Sequence, residues 1–113
     1  MLKSEKLLKL LLSAASSGLD PSRLILALRR DAVNTRRKLA RELEITEQEL
    51  FRLLSLIEPE IYKILQRTDL YPAIERASNR YRNKARELFF NEEIWKYQPI
   101  PTRLVMWRWL KRK

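Results

Sequence analysis

The sequence contains no cysteine, no histidine and a single glycine in 113 residues. Without cysteine there is no disulfide and no thiol nucleophile. Without either residue there is no imidazole base and no zinc site of the usual Cys/His kind. One glycine cannot supply the turns of a strand-rich domain of this size, nor the clustered glycines of a phosphate-cradling loop. Long apolar runs are absent too, and none approaches the length that spans a membrane. Acidic residues are few beside basic ones: 14 Asp and Glu against 24 Lys and Arg, a formal charge of +10 that attracts polyanions. At 34% charged and 45% hydrophobic, the chain is too apolar for a disordered tail and too charged for a membrane protein. The absent cysteines imply no compartment, and a reducing interior is compatible with them. Together with the charge they lead us to expect an intracellular protein, cytoplasmic or nucleoid-associated.

Helices are what this composition permits, and the length suits one domain, residues 1–113. The first is expected over residues 2–17, with Gly18 at a left-handed C-terminal cap. The leucine-rich run at residues 7–12 has the look of a signal sequence, but Lys9 interrupts it and Glu5 precedes it. It reads instead as an amphipathic core helix, with Leu8, Leu11, Leu12 and Ala15 inward and Lys3, Lys6, Lys9 and Ser13 outward. Asp20 and Pro21 suit the N-cap and first position of a second helix carrying Leu24, Ile25 and Leu28. Asn34 or Thr35 could cap a third, which ends at Leu43 with Leu39, Ala40 and Leu43 inward. Thr46 and Glu49 have the spacing of a reciprocal capping box opening a fourth.

Leu50, Leu53, Leu54 and Ile57 line that fourth helix, which Pro59 is expected to end near Glu58, with a short fifth over residues 60–67. A long sixth is expected over residues 72–90, its stripe being Ile74, Ala77, Tyr81, Ala85 and Leu88. Arg76, Arg80 and Lys84 then form one basic edge at four-residue spacing, and Arg82 and Arg86 a second. Pro99 and Pro101 stiffen a connector before a last helix over residues 102–111. The expected fold is therefore all-α, a single compact bundle of six to seven short helices.

Residues 35–55 resemble a helix-turn-helix, the DNA-binding unit whose second helix enters the major groove. The resemblance rests on Leu39, Ala40 and Leu43, on Ile45 after the turn, and on Leu50 and Leu53. Where that family usually has glycine, four residues after the small Ala40, this chain has Glu44. The resemblance implies that Arg36, Arg37, Lys38 and Arg41 contact phosphates and that Gln48 and Arg52, with Thr46, Glu47, Phe51 and Ser55 also outward, lie near bases.

Charge is spread unevenly along the chain. Residues 1–34 carry +3, residues 35–68 carry +1 and residues 69–113 carry +6. Between Glu42 and Glu60 there are six acidic residues and one basic residue, Arg52. Six of the ten aromatics, Phe89, Phe90, Trp95, Tyr97, Trp107 and Trp109, also lie toward the C-terminus. Trp107 and Trp109 are about 200° apart on a helix, so one core cannot take both. Trp107 aligns with Leu104 and Leu110. Trp109, beside Arg108, Lys111 and Arg112, is left as a contact residue for a base or for a protein partner.

Catalysis finds little support. Glu92 and Glu93 are adjacent and diverge, Glu58 and Glu60 flank a proline, and Ser16 and Ser17 have no histidine to activate them. No enzyme, metal or cofactor is expected. The leading expectation is a non-catalytic nucleic-acid-binding protein, DNA favoured and RNA possible, using the helix-turn-helix and the basic C-terminal surface. The alternative is a structural subunit of a ribonucleoprotein or replication complex that binds without sequence preference; the small helical subunits of CRISPR effector complexes are similar in size and composition. A protein–protein adaptor is the second alternative. No membrane partner is expected.

Overall fold

The computed structural model describes residues 2–67 and 81–97. Among these residues there are six helices and no strand: α1 (Lys3–Ser16), α2 (Pro21–Arg30), α3 (Val33–Leu43), α4 (Glu47–Gln66), α5 (Arg82–Phe89) and α6 (Glu92–Trp95). The all-α bundle is as the sequence leads one to expect. None of these helices is long and apolar enough to cross a membrane.

The leucines of α1 organise the core. Leu7, Leu10, Leu11 and Ala14, at steps of three, one and three, are fully buried, and α1 packs against α2, α3, α4 and α5. The buried face is wider than the sequence reading placed it: Leu8 is only partly buried, whereas Ser13, expected outside, is completely enclosed. Ser13 is accommodated because its Oγ donates to the Lys9 carbonyl at 2.8 Å, so the hydroxyl enters the interior already paired. Gly18 has φ 108°, a conformation that side chains rarely tolerate. The amide of Gly18 donates to Ala15 O and that of Leu19 to Ala14 O, both at 3.0 Å. These paired bonds reverse the chain and seat Leu19 in the core.

Asp20 caps α2, accepting from the Ser22 amide and hydroxyl at 2.9 Å each, and Leu24, Ile25 and Leu28 are buried as the spacing implies. The α3 cap differs from expectation. The helix begins two or three residues earlier, after Ala32, and neither Asn34 nor Thr35 acts as its cap. The Glu93 carboxylate does so from α6: it accepts from the Asn34 amide at 3.4 Å, the Thr35 amide at 3.0 Å and the Thr35 hydroxyl at 2.8 Å. A carboxylate at a helix N-terminus satisfies orphan amides and meets the positive end of the helix dipole.

Thr46 caps α4, its Oγ1 accepting from the Glu49 amide at 3.1 Å. The return bond is not the expected one, because the Glu49 carboxylate accepts from the Thr46 hydroxyl at 3.3 Å. Pro59 does not end α4, which runs unbroken to Gln66. Ile57 and Ile61, on either side of the proline, lie on one buried stripe, and that burial holds the helical path. The carbonyl of Ser55, which loses its donor to the proline ring, lies on the exposed side with Pro59, where water can replace the bond. The expected separate fifth helix is thus the last part of α4.

Of the long sixth helix foreseen over residues 72–90, residues 82–89 are described as α5, with Ala85, Leu88 and Phe89 buried and Tyr81 packed against the core. Residues 72–80 and the last helix foreseen over residues 102–111 lie outside the described residues, as does the connector beyond Tyr97. The short helix α6, capped by Asn91 accepting from the Ile94 amide at 3.2 Å, has no counterpart in the sequence reading.

Two substitutions measure these local costs. Pro59→Ala, at an exposed interior position of α4, is expected to stabilise the fold by about 1–3 kcal/mol through the restored bond and better propensity. Leu10→Ala should destabilise it by about 2–5 kcal/mol by leaving a cavity under α1. Urea unfolding read by circular dichroism tests both.

Candidate nucleic-acid interface on the third and fourth helices

The turn joining α3 to α4 is short, and Glu44 occupies it with φ 57° and ψ 46°, the left-handed conformation that the resemblance assigns to a glycine. The strain is offset locally: the Glu44 amide donates to Arg41 O at 3.1 Å, the Ile45 amide donates to Ala40 O at 3.0 Å, and Lys3 Nζ donates to the Glu44 carbonyl at 2.7 Å. Leu39, Ala40, Leu43, Leu50 and Leu54 are buried, and Ile45 and Leu53 pack against them. The α2, α3 and α4 helices pack on one another around this turn.

The expected contact residues separate into different groups. Arg36 is no surface cation: its side chain is only 14% exposed. Its Nε donates to Glu47 Oε1 at 2.8 Å, its Nη1 donates to the Leu28 carbonyl at 3.1 Å, and its guanidinium lies 5.2 Å from the Phe51 ring centroid. It therefore clasps α2, α3 and α4 together. Arg37 is 61% exposed and lies 3.9 Å from Glu47 Oε2. Lys38 and Arg41 are exposed and take part in no ion pair among the described residues. They line an open cleft of about 360 Å³ with Glu42, Glu87 and Leu88. On α4, Gln48 and Arg52 are exposed as expected, as are Thr46 and Ser55, while Glu47 and Phe51 are half-buried beneath Arg36.

Lys84, foreseen as part of a basic edge, is instead bound to acids. Its Nζ lies 3.2 Å from Glu42 Oε1 and 3.5 Å from Glu87 Oε2, while Lys6 Nζ lies 3.2 Å from Glu42 Oε2. One carboxylate thus joins α1, α3 and α5. Burial raises the Glu42 carboxyl, but the hydrogen bonds and charges of Lys84 and Lys6 outweigh it and hold the group below its ordinary value. Lys84 is held above its own, chiefly by its bond to Glu42. Arg82 Nε is enclosed without a hydrogen-bond partner, and Arg86 is exposed. Arg76, Arg80, Arg108, Trp109, Lys111 and Arg112 lie outside the described residues.

Sequence counting makes this region nearly neutral, with six basic and six acidic residues over positions 33–66. Tertiary packing alters that balance. Lys6 and Lys84 reach Glu42, Arg29 reaches Glu58 at 3.5 Å, and Lys3 reaches the Glu44 carbonyl, so four cations from α1, α2 and α5 join the acidic side of the unit. Glu47 is taken up by Arg36 and Arg37. The residues missed in the sequence, Lys3, Lys6, Arg29 and Glu93, act across 26 to 59 positions, and no local pattern marks such pairs. Comparison with protein-family models, curated proteins and solved structures returns no match.

The Glu93 cap gives a pH prediction. Burial raises the Glu93 carboxyl, but its bonds from the Thr35 hydroxyl and from the Thr35 and Asn34 amides leave it lower than the ordinary value. A depressed carboxyl stabilises the fold above its unfolded pKa, roughly 4.3, and loses that contribution as pH falls through the folded value. Glu93→Gln should therefore cost about 0.5–2 kcal/mol at neutral pH and flatten the acid limb of the stability curve. Denaturant unfolding from pH 7 to pH 3 reads both, and an unchanged acid limb would rule out the linkage.

Proposed function

We propose that this chain is a non-catalytic nucleic-acid-binding protein that grips the phosphate backbone through the exposed cations of α3. The observation that carries the reading is the pair Lys38 and Arg41, exposed and without an ion pair among the described residues, beside the exposed Arg37. Glu42 is matched by Lys6 and Lys84 from other helices and Glu47 by Arg36, so phosphates approaching α3 meet less repulsion than the local sequence implies. The further +6 of residues 69–113 extends the same electrostatic attraction.

Backbone grip is favoured over reading of bases. Gln48 and Arg52 suit base edges, yet Glu49, Leu56 and Glu60 are exposed on the same helix, and acidic groups there would face the phosphates that wall a groove. This supports the structural-subunit reading, with little sequence preference, ahead of a helix-turn-helix that inserts α4 into the major groove.

The test is binding of the full chain to duplex DNA, single-stranded DNA and RNA over a salt titration. Affinity is expected to fall steeply with salt, and random duplex is expected to compete as well as any selected sequence. Replacing Arg37, Lys38 and Arg41 together with Ser should lower the logarithmic salt slope by about 2 to 3 on B-DNA. An unchanged slope removes α3 from the contact. Strong discrimination between duplex sequences would favour groove insertion, and the absence of affinity for any nucleic acid, with a protein complex that survives high salt, would favour an adaptor.

A further inference from the structure

The outer face of α4 carries a pattern that neither the core nor the proposed nucleic-acid contact uses. Leu56 is 66% exposed, so it contributes nothing to the core of its own chain. It lies at the centre of the 20 residues of Glu47–Gln66. Glu49, Arg52, Leu56, Glu60 and Lys63 follow at steps of three, four, four and three, so they form one row along the helix, and all five are exposed. Their only ties among the described residues are local: Glu49 with Thr46, and Lys63 Nζ with Glu60 Oε1 at 3.6 Å.

The row is self-complementary about Leu56. Reversing it end for end places position 52 against position 60 and position 49 against position 63. Each pairing sets a cation against an acid, and both share one midpoint, the exposed leucine. We infer that α4 is a self-association surface, on which a second copy of the chain packs antiparallel about a two-fold axis at Leu56. Arg52 then faces Glu60 of the second copy, Glu49 faces Lys63, and the two Leu56 side chains meet at the axis. Such a contact is isologous, as two-fold dimers require. The parallel arrangement is disfavoured, since it sets every charge in the row against its like. A contact of about four helical turns with one leucine at its centre and charges around it fits a weak dimer, below the usual size of stable interfaces. This inference is independent of the phosphate contact on α3, because its test contains no nucleic acid. It assigns Arg52 to a protein contact.

Sedimentation equilibrium of the full chain at near-physiological salt, up to about 1 mM, reads the association directly. The unaltered chain is expected to dimerise with a Kd in the range of about 10 μM to 1 mM. Leu56→Glu should weaken this at least about tenfold, and because the side chain is exposed the fold is expected to persist, which circular dichroism checks. Arg52→Glu alone and Glu60→Arg alone should each weaken association, since each places like charges opposite one another. The double variant R52E/E60R should restore it by exchanging the partners in place. A chain that stays monomeric throughout the range overturns the inference. So does a dimer indifferent to Leu56→Glu, or one that the double charge exchange fails to restore.

Discussion

Leu7, Leu10 and Leu11 are removed from water entirely, and α1 is in contact with α2, α3, α4 and α5. Without this face, four helices lose the surface they share. The dependence is physical: short helices are marginal in isolation and gain their stability from packing an amphipathic face. The C-terminal helices are tied to the same centre, α5 by burying Ala85, Leu88 and Phe89, and α6 by Ile94.

Polar contacts then set the helices in register. Glu42 holds Lys6 and Lys84, Glu93 caps α3, and Arg36 spans Glu47, Phe51 and the Leu28 carbonyl. Each contact joins helices that are distant in sequence or separated by a turn. Each also uses a charge that would otherwise lie on the surface. What remains exposed on α3 is mainly cationic, whereas α4 presents alternating signs around Leu56. The two neighbouring helices therefore offer chemically different faces, one cationic and one of mixed charge.

Much of the architecture was legible in local signals. Gly18, Asp20 with Pro21, and Thr46 mark helix ends because the groups that satisfy orphan amides and carbonyls lie within a few positions of them. The reading at Pro59 failed because a local preference against helix competed with burial of Ile57 and Ile61, and burial prevailed. Ser13 failed in the same way, its polarity outweighed by an available backbone carbonyl. The candidate interface was less legible. Arg36, Arg37, Lys38 and Arg41 look equivalent in sequence, yet Arg36 is enclosed and bonded while Lys38 and Arg41 are exposed. Lys84 resembled a free cation for the same reason: a partner 42 positions away leaves no periodic trace.

The amino-acid sequence by itself determined the helical class, the positive charge and the absence of thiol and imidazole chemistry, since composition and short-range spacing suffice for these. It also contained the alternating charges around Leu56, although their meaning depends on that row remaining exposed. Only the tertiary structure decided which cations are spent inside the fold and which face outward. Ion pairing and capping depend on the distance between atoms in space, and for Glu42 and Glu93 that distance is established by packing helices far apart along the chain.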